Sequence, residues 1–223
     1  MVIRGVLNTD VGDIKISSHE KDNVEFVVTV KGMSEDTFKF EVAEREDGLR
    51  LTAKKKSDRF SFRRKNAHFD IVVPRSYNVN VNTSGGSIRI RDIDGKLKAN
   101  TAGGDLVFDN INGTVKGDTS GGEIRVTAVV GDVKIETSGG SIKVADVRGD
   151  VVSHTSGGSI KMAGVSGKID AFTSGGSIKL EAVKGAARAE TSGGSISARA
   201  EGDLTGDWRF ETSGGGIKAS RAA

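Results

Sequence analysis

From Thr83 onward the apolar residues fall in a fixed pattern. Counting each repeat from a threonine, positions 6, 8, 11 and 15 are apolar, as Ile142, Val144, Val147 and Val151 are in one copy, with a polar residue between 6 and 8. Alternation with a period of two predicts strands, not helices. The pattern returns every 18 residues, at Thr83, Thr101, Thr119, Thr137, Thr155, Thr173 and Thr191, and again at Thr212 after 21. One copy reads T-S-G-G-S-I-x-V-x-x-V-x-G-x-V-x-A-x. The paired glycines and the glycine at position 13 (Gly95, Gly113, Gly131, Gly149, Gly167, Gly185) read as corners whose backbone other residues resist. Each repeat is therefore two short strands and two turns.

Four inward aliphatic side chains cannot offset the ordering of 18 residues, so one repeat cannot fold alone. Stacked coils can, because each gains hydrogen bonds and contacts on both sides. The predicted fold is an all-β, single-stranded parallel β-helix, a β-solenoid of 18 residues per coil. An isoleucine ladder should run from Ile88 through Leu106, Ile124, Ile142, Ile160, Ile178 and Ile196 to Ile217, beside a valine-rich one from Ile93 to Val183. Parity turns the threonine at position 1 inward and the serine at position 2 outward.

Residues 1–82 differ in composition, yet T-D-V-G-D-I-K-I from Thr9 to Ile16 overlays T-S-G-G-S-I-R-I from Thr83 to Ile90. This stretch reads as a degenerate first coil. Alternating runs follow at Val24–Val30, Phe38–Val42, Leu49–Leu51, Phe60–Phe62 and Phe69–Val73, all expected as strands, some in hairpins. The chain thus divides into a wider, aromatic-filled N-terminal section, 1–82, continuous with a regular solenoid, 83–223. At the far end, counting back from Thr212 puts Trp208 and Phe210 at inward positions 15 and 17 and Leu204 at position 11. The two aromatics are expected to plug the end of the stack, with Arg199 to Asp203 as a bulging loop.

Composition agrees with stacked coils. Of 223 residues, 31 are glycine, and only four of these precede residue 83; there is one proline, which would break a ladder, and no cysteine. Cysteine chemistry is excluded. Acidic and basic residues nearly cancel, leaving a net charge of +3, and no apolar run reaches the roughly 18 residues of a membrane span. His19, His68 and His154 have no partner at a metal-ligand spacing, and S-G-G is not the G-x-S-x-G of a nucleophile elbow. No enzymatic activity, metal, cofactor or small-molecule substrate is expected.

Two basic features stand out. Position 7 carries Arg89, Arg125, Lys143, Lys161, Lys179 and Lys218, a cationic stripe interrupted by Val107 and Ser197. Lys54, Lys55, Lys56, Arg59, Arg63, Arg64 and Lys65 form a cluster expected at the tip of a hairpin between Leu49–Leu51 and Phe60–Phe62. Solubility and edge protection account for such charges; attraction to a polyanion is the functional alternative. Nucleic acid fits least, because no aromatic platform accompanies the bases.

The G-D-I-K-I segment, the V-V-P-R-S-Y-N-V-N-V junction from Val72 to Val81 and the serial T-S-G-G-S-I and V-x-G-x-V blocks together resemble the DUF4097 "putative adhesin" family, related to the DUF2807 head domains. The resemblance spans nearly the whole chain. It implies a right-handed β-helix in a cell-envelope or surface protein that meets a surface polymer or a protein partner; with Met1 as the natural start, a cytoplasmic location is the alternative. A solenoid that polymerises end to end is the other reading, and the sequence leaves the oligomeric state open.

Overall fold

The computed structural model describes residues 3–9, 12–31, 38–45, 48–55, 66–202 and 206–221. The N-terminal alternation produces six strands, β1 (Ile3–Thr9), β2 (Asp13–His19), β3 (Glu25–Lys31), β4 (Phe38–Arg45), β5 (Gly48–Lys55) and β6 (Asn66–Pro74). The repeats then supply two each: β7 (Tyr77–Thr83) and β8 (Ile88–Asp94), β9 (Leu97–Thr101) and β10 (Leu106–Asn112), β11 (Val115–Thr119) and β12 (Ile124–Val130), β13 (Val133–Thr137) and β14 (Ile142–Arg148). The series continues with β15 (Val151–Thr155) and β16 (Ile160–Val165), β17 (Ile169–Thr173) and β18 (Ile178–Val183), β19 (Ala187–Thr191) and β20 (Ile196–Ala200), and β21 (Trp208–Thr212) and β22 (Ile217–Arg221). There is no helix among the described residues.

These strands form two facing 11-stranded sheets. Sheet A runs β21-β19-β17-β15-β13-β11-β9-β7-β1-β5-β4 and sheet B runs β22-β20-β18-β16-β14-β12-β10-β8-β2-β6-β3. Each turn of the solenoid contributes one strand to each sheet. All neighbours pair in parallel except β4 on β5 and β3 on β6, which are antiparallel and lie at the N-terminal edge of the stack. Thr9 pairs with Thr83 and Ile14 with Ile88, so the degenerate first coil is a full rung. Spatial order departs from chain order here, because β5 and β6 stack on the far side of β1 and β2.

The predicted ladders are in register. Ile88, Leu106, Ile124, Ile142, Ile160, Ile178 and Ile196 are buried one above another, as are Ile93, Ile111, Val129, Val147, Val165 and Val183. The step from inward position 8 to inward position 11 breaks period-two alternation, and the backbone shows how. Position 10 is left-handed in six successive coils, at Asp92, Asn110, Ala128, Asp146, Gly164 and Ala182, with φ between 52 and 66°. That kink turns positions 9 and 10 outward and restores position 11 to the core.

Three sequence expectations need correction. The paired glycines are not at positive φ; the second of each pair is required by close stacking, since a Cβ on Gly140 would overlap the carbonyl of Gly122, whereas one on Gly139 would meet nothing nearer than 3.6 Å. Leu49–Leu51 does not form a hairpin with the residues that follow it. Both edges of β5 are taken, by β1 and by the preceding β4, and the next described strand, β6, belongs to the other sheet. Finally, Arg199 and Ala200 continue β20 instead of opening a loop, and buried Ala200 takes the place beside Val183. Phe60, Phe62 and Leu204 lie outside the described residues.

The N-terminal section holds buried Phe69 and Tyr77. Between the sheets there it also leaves an apolar cavity of about 40 Å³, bordered by Leu7, Ile16, Leu51, Ile71 and Tyr77. The Tyr77 hydroxyl is buried without a hydrogen-bond partner, and burial raises its pKa. At the opposite end, Trp208 and Phe210 pack on each other at 5.3 Å between ring centroids and half-cover the core, with Trp208 Nε1 donating to Gly185 O at 3.1 Å.

Candidate functional site: a polar groove and a basic stripe

Strand alternation places the position-7 side chains on the outer face of sheet B. Arg125, Lys143, Lys161 and Lys179 occupy four consecutive rungs, and Arg89 lies beyond Val107. Like charges one rung apart, about 4.8 Å, repel. Two carboxylates relieve that repulsion. Glu123 lies 2.6 Å from Arg125 and 3.1 Å from Lys143, and Glu181 lies 2.9 Å from Lys179 and 3.6 Å from Lys161. The Lys179 hydrogen bond and the two lysine charges hold the Glu181 carboxyl below its usual range. The stripe is therefore half neutralised.

Sequence reasoning set neither glutamate against the stripe, because they sit at variable positions 5 and 9. It also missed a second cationic row, Lys98, Lys116 and Lys134, on adjacent rungs of sheet A. Of the basic cluster, Lys54 and Lys55 lie at the C-terminal end of β5 in sheet A, while Lys56, Arg59, Arg63, Arg64 and Lys65 fall outside the described residues. Lys54 and Lys55 thus lie on a different sheet from the stripe.

A different feature runs the length of the repeat. From Thr101 onward the T-S-G-G corner is built by a clamp in which the threonine hydroxyl donates to the glycine carbonyl one coil back and accepts from the glycine N–H three residues on, whereas the Thr83 hydroxyl is buried without a partner. In one copy Thr155 Oγ1 bonds Gly140 O at 2.8 Å and accepts from Gly158 N at 3.3 Å. The same pair of bonds recurs at Thr101, Thr119, Thr137, Thr173 and Thr191. This draws the corner in and leaves a groove between the position-18 side chains on one bank and the exposed serines of position 2 on the other.

The groove has a volume of about 440 Å³ from Thr52 and Asn8 to Ser120, and a contiguous stretch of about 330 Å³ carries it on to His154 and Ser156. Seven rungs, β5 to β15, span roughly 29 Å. Its first bank is an amide ladder in which Asn82 Nδ2 donates to Asn8 Oδ1 at 2.9 Å and Asn100 Nδ2 donates to Asn82 Oδ1 at 2.6 Å. Asn82 Nδ2 also donates to Asn80 Oδ1 at 3.5 Å, whereas Asn100 keeps a second N–H and its carbonyl oxygen for an incoming group. Asp118, Glu136 and His154 continue the bank, and Phe172 lies next, its ring 4.6 Å from that of His154. Burial, then the Glu136 charge, raises the Asp118 carboxyl pKa against the pull of Lys98, Lys134 and Lys116. The signal was present in the sequence, since the residue before each repeat threonine is polar in seven of eight copies, Phe172 excepted. No group of three or more metal-ligating side chains occurs among the described residues.

The family described as Toastrack DUF4097 matches residues 6–222. This chain belongs to that family. Its fold is similar to that of a "putative adhesin" from Bacteroides fragilis NCTC 9343, with a TM-score of 0.53 at 14% identity over 100% of this chain and 93% of the other. A cell adhesion protein, so titled with the same qualifier, from Clostridium sporogenes ATCC 15579 is similar at a TM-score of 0.40 and 13% identity, covering 99% and 93%. At 14% identity the likeness to the first is one of fold alone. No curated protein sequence matches the chain.

Proposed function

We propose that this chain is a non-enzymatic adhesion module of the bacterial cell envelope that holds an extended, uncharged polysaccharide in the groove of sheet A. The observation that carries the reading is the groove itself, which runs across seven rungs and bears a threonine–serine pair on four of them, β7, β11, β13 and β15. Paired amide donors and acceptors suit vicinal hydroxyls, and contacts that are weak singly add up along a repeating ligand. Asp118 and Glu136 on the bank disfavour an anionic polymer there. Family membership and the names of the structural relatives support adhesion as the broader role.

The polyanion reading rests on the stripe of Arg89, Arg125, Lys143, Lys161 and Lys179, and the two shared glutamates weaken it. Retention on immobilised mannan, dextran and heparin separates the two. Groove binding predicts retention on a neutral polymer that survives raised salt, is lost in Asn82→Ala/Asn100→Ala and is kept in Lys143→Gln/Lys161→Gln/Lys179→Gln. Retention on heparin alone, abolished by salt and by the lysine substitutions, would replace the groove with the stripe.

A further inference from the structure

The two ends of the stack differ. At the N-terminal end antiparallel β3 and β4 lie across the last parallel rung. At the other end, among the described residues, β21 pairs only with β19 and β22 only with β20. Core positions that are buried in earlier rungs are open here. Ile217 is 48% exposed where Ile196 below it is 1%, and all of β22 is exposed. Such an edge is a template for strand addition.

We infer that the C-terminal edge is a two-fold interface with a second copy of this chain, made by antiparallel pairing of β21 with β21 of the partner subunit and β22 with β22 of the partner subunit. The backbone phase and the charges select this occupant. Ala187 N donates to Asp207 O and Ser213 N to Thr191 O, so odd-numbered residues of β21 bond inward to β19. The N–H and C=O groups of Trp208, Phe210 and Thr212 therefore face the free edge. A two-fold axis at Phe210 makes those residues the hydrogen-bonded pairs and sets Arg209 opposite Glu211 of the partner, twice, in the closer non-hydrogen-bonded pairs. Both side chains are exposed and lie 3.8 Å from each other within the chain, a pair that the contact exchanges for the two across the axis.

The second strand agrees. Ile196 N donates to Gly216 O, which leaves Ile217 and Ala219 with their backbone groups at the outer edge of β22. Ala219 occupies repeat position 8, which faces position 17 across the core, as Phe108 faces Gly117. Phe210 is at position 17, so one axis passes through Phe210 and Ala219 and meets the hydrogen-bonding phase of both strands. The contact is isologous and closes, in contrast to end-to-end growth. It also yields a bivalent particle with two grooves.

Light scattering coupled to size exclusion, over a wide concentration range on the full chain, tests this. The mass should rise from 23.4 kDa toward twice that value and stop. Arg209→Glu and Glu211→Arg should each weaken the dimer about tenfold or more, because two attractive pairs become repulsive, and the double exchange should restore it. Circular dichroism checks that each exposed-site variant stays folded. A monomer at every concentration, a dimer indifferent to the single reversals, a double exchange that fails to restore it, or a mass that keeps growing would each overturn the proposal, the last in favour of head-to-tail stacking.

Discussion

At the scale of single residues, the T-S-G-G motif separates into two required and two permissive positions. Threonine 1 and glycine 4 clamp each other across the coil, and a side chain on glycine 4 has no space because the glycine one rung back lies directly beneath it. Glycine 3 is exposed and has room. Gly140→Ala should cost at least about 2 to 3 kcal/mol by forcing the rungs apart, while Gly139→Ala should lie within about 1 kcal/mol of the parent; urea unfolding of the two variants makes the comparison. Tyr77 gives a second prediction. Burial holds its proton to higher pH in the fold than in the unfolded chain, so its contribution is intact below the unfolded value of about 10 and is lost as pH rises through the folded value. The chain has one tyrosine, so tyrosinate absorbance should appear only as the protein unfolds. Tyr77→Phe should flatten the alkaline fall in Tm without lowering stability at neutral pH, because the hydroxyl has no partner to lose.

At the scale of the element, the longer strand of each repeat is a kinked strand. Its apolar positions were legible in the sequence, but the change of parity between positions 8 and 11 had no sequence explanation. The left-handed residue at position 10 supplies one, and the residue types partly announce it. Asp92, Asn110, Asp146 and Gly164 tolerate that conformation, whereas Ala128 and Ala182 bear a cost in it. Asn110 also donates to Asp92 Oδ1 at 2.7 Å, which starts a side-chain ladder. Ala128→Asn should extend the ladder and stabilise the fold by about 0.5 to 1 kcal/mol, read as an increase in the urea midpoint at unchanged slope. The basic cluster illustrates the reverse case. A hairpin was a reasonable inference from alternation on both sides of a charged run, yet strand pairing is a choice among partners, and β5 satisfies both of its edges with β1 and β4.

At the scale of the whole molecule, the solenoid is a one-dimensional array in which each rung contacts its neighbours. Removal of one complete coil should therefore be tolerated where removal of a fraction is not. Deleting residues 138–155 joins Thr137 to Ser156 and preserves every ladder; the shortened chain should fold cooperatively with somewhat lower stability. A deletion half as long should not fold, since it exchanges the two sheets' sequences. Circular dichroism and thermal melts compare the two. The same array explains why the candidate site is a groove and not a pocket: a repeated corner generates a repeated concavity, and its chemistry changes along the axis from amides at Asn8, Asn82 and Asn100 to ionisable groups at Asp118, Glu136 and His154.

The period, the parity of Thr137 or Ile142, the two ladders and the stripe at position 7 followed from the chain alone, because a repeat of 18 puts like residues over like and local alternation decides which face is buried. Tertiary structure decided what depends on neighbours distant in sequence. It stacked β5 and β6 outside β1 and β2, brought Glu123 and Glu181 between the stripe cations, and lined up the residues before each threonine as one bank of a groove. It also showed that one glycine of each pair answers to the rung beneath it. The physical reason is the same in every case. Periodicity determines what lies one coil away at the same position, whereas ion pairs, pairing order and concavities depend on which different positions the closed coil brings side by side.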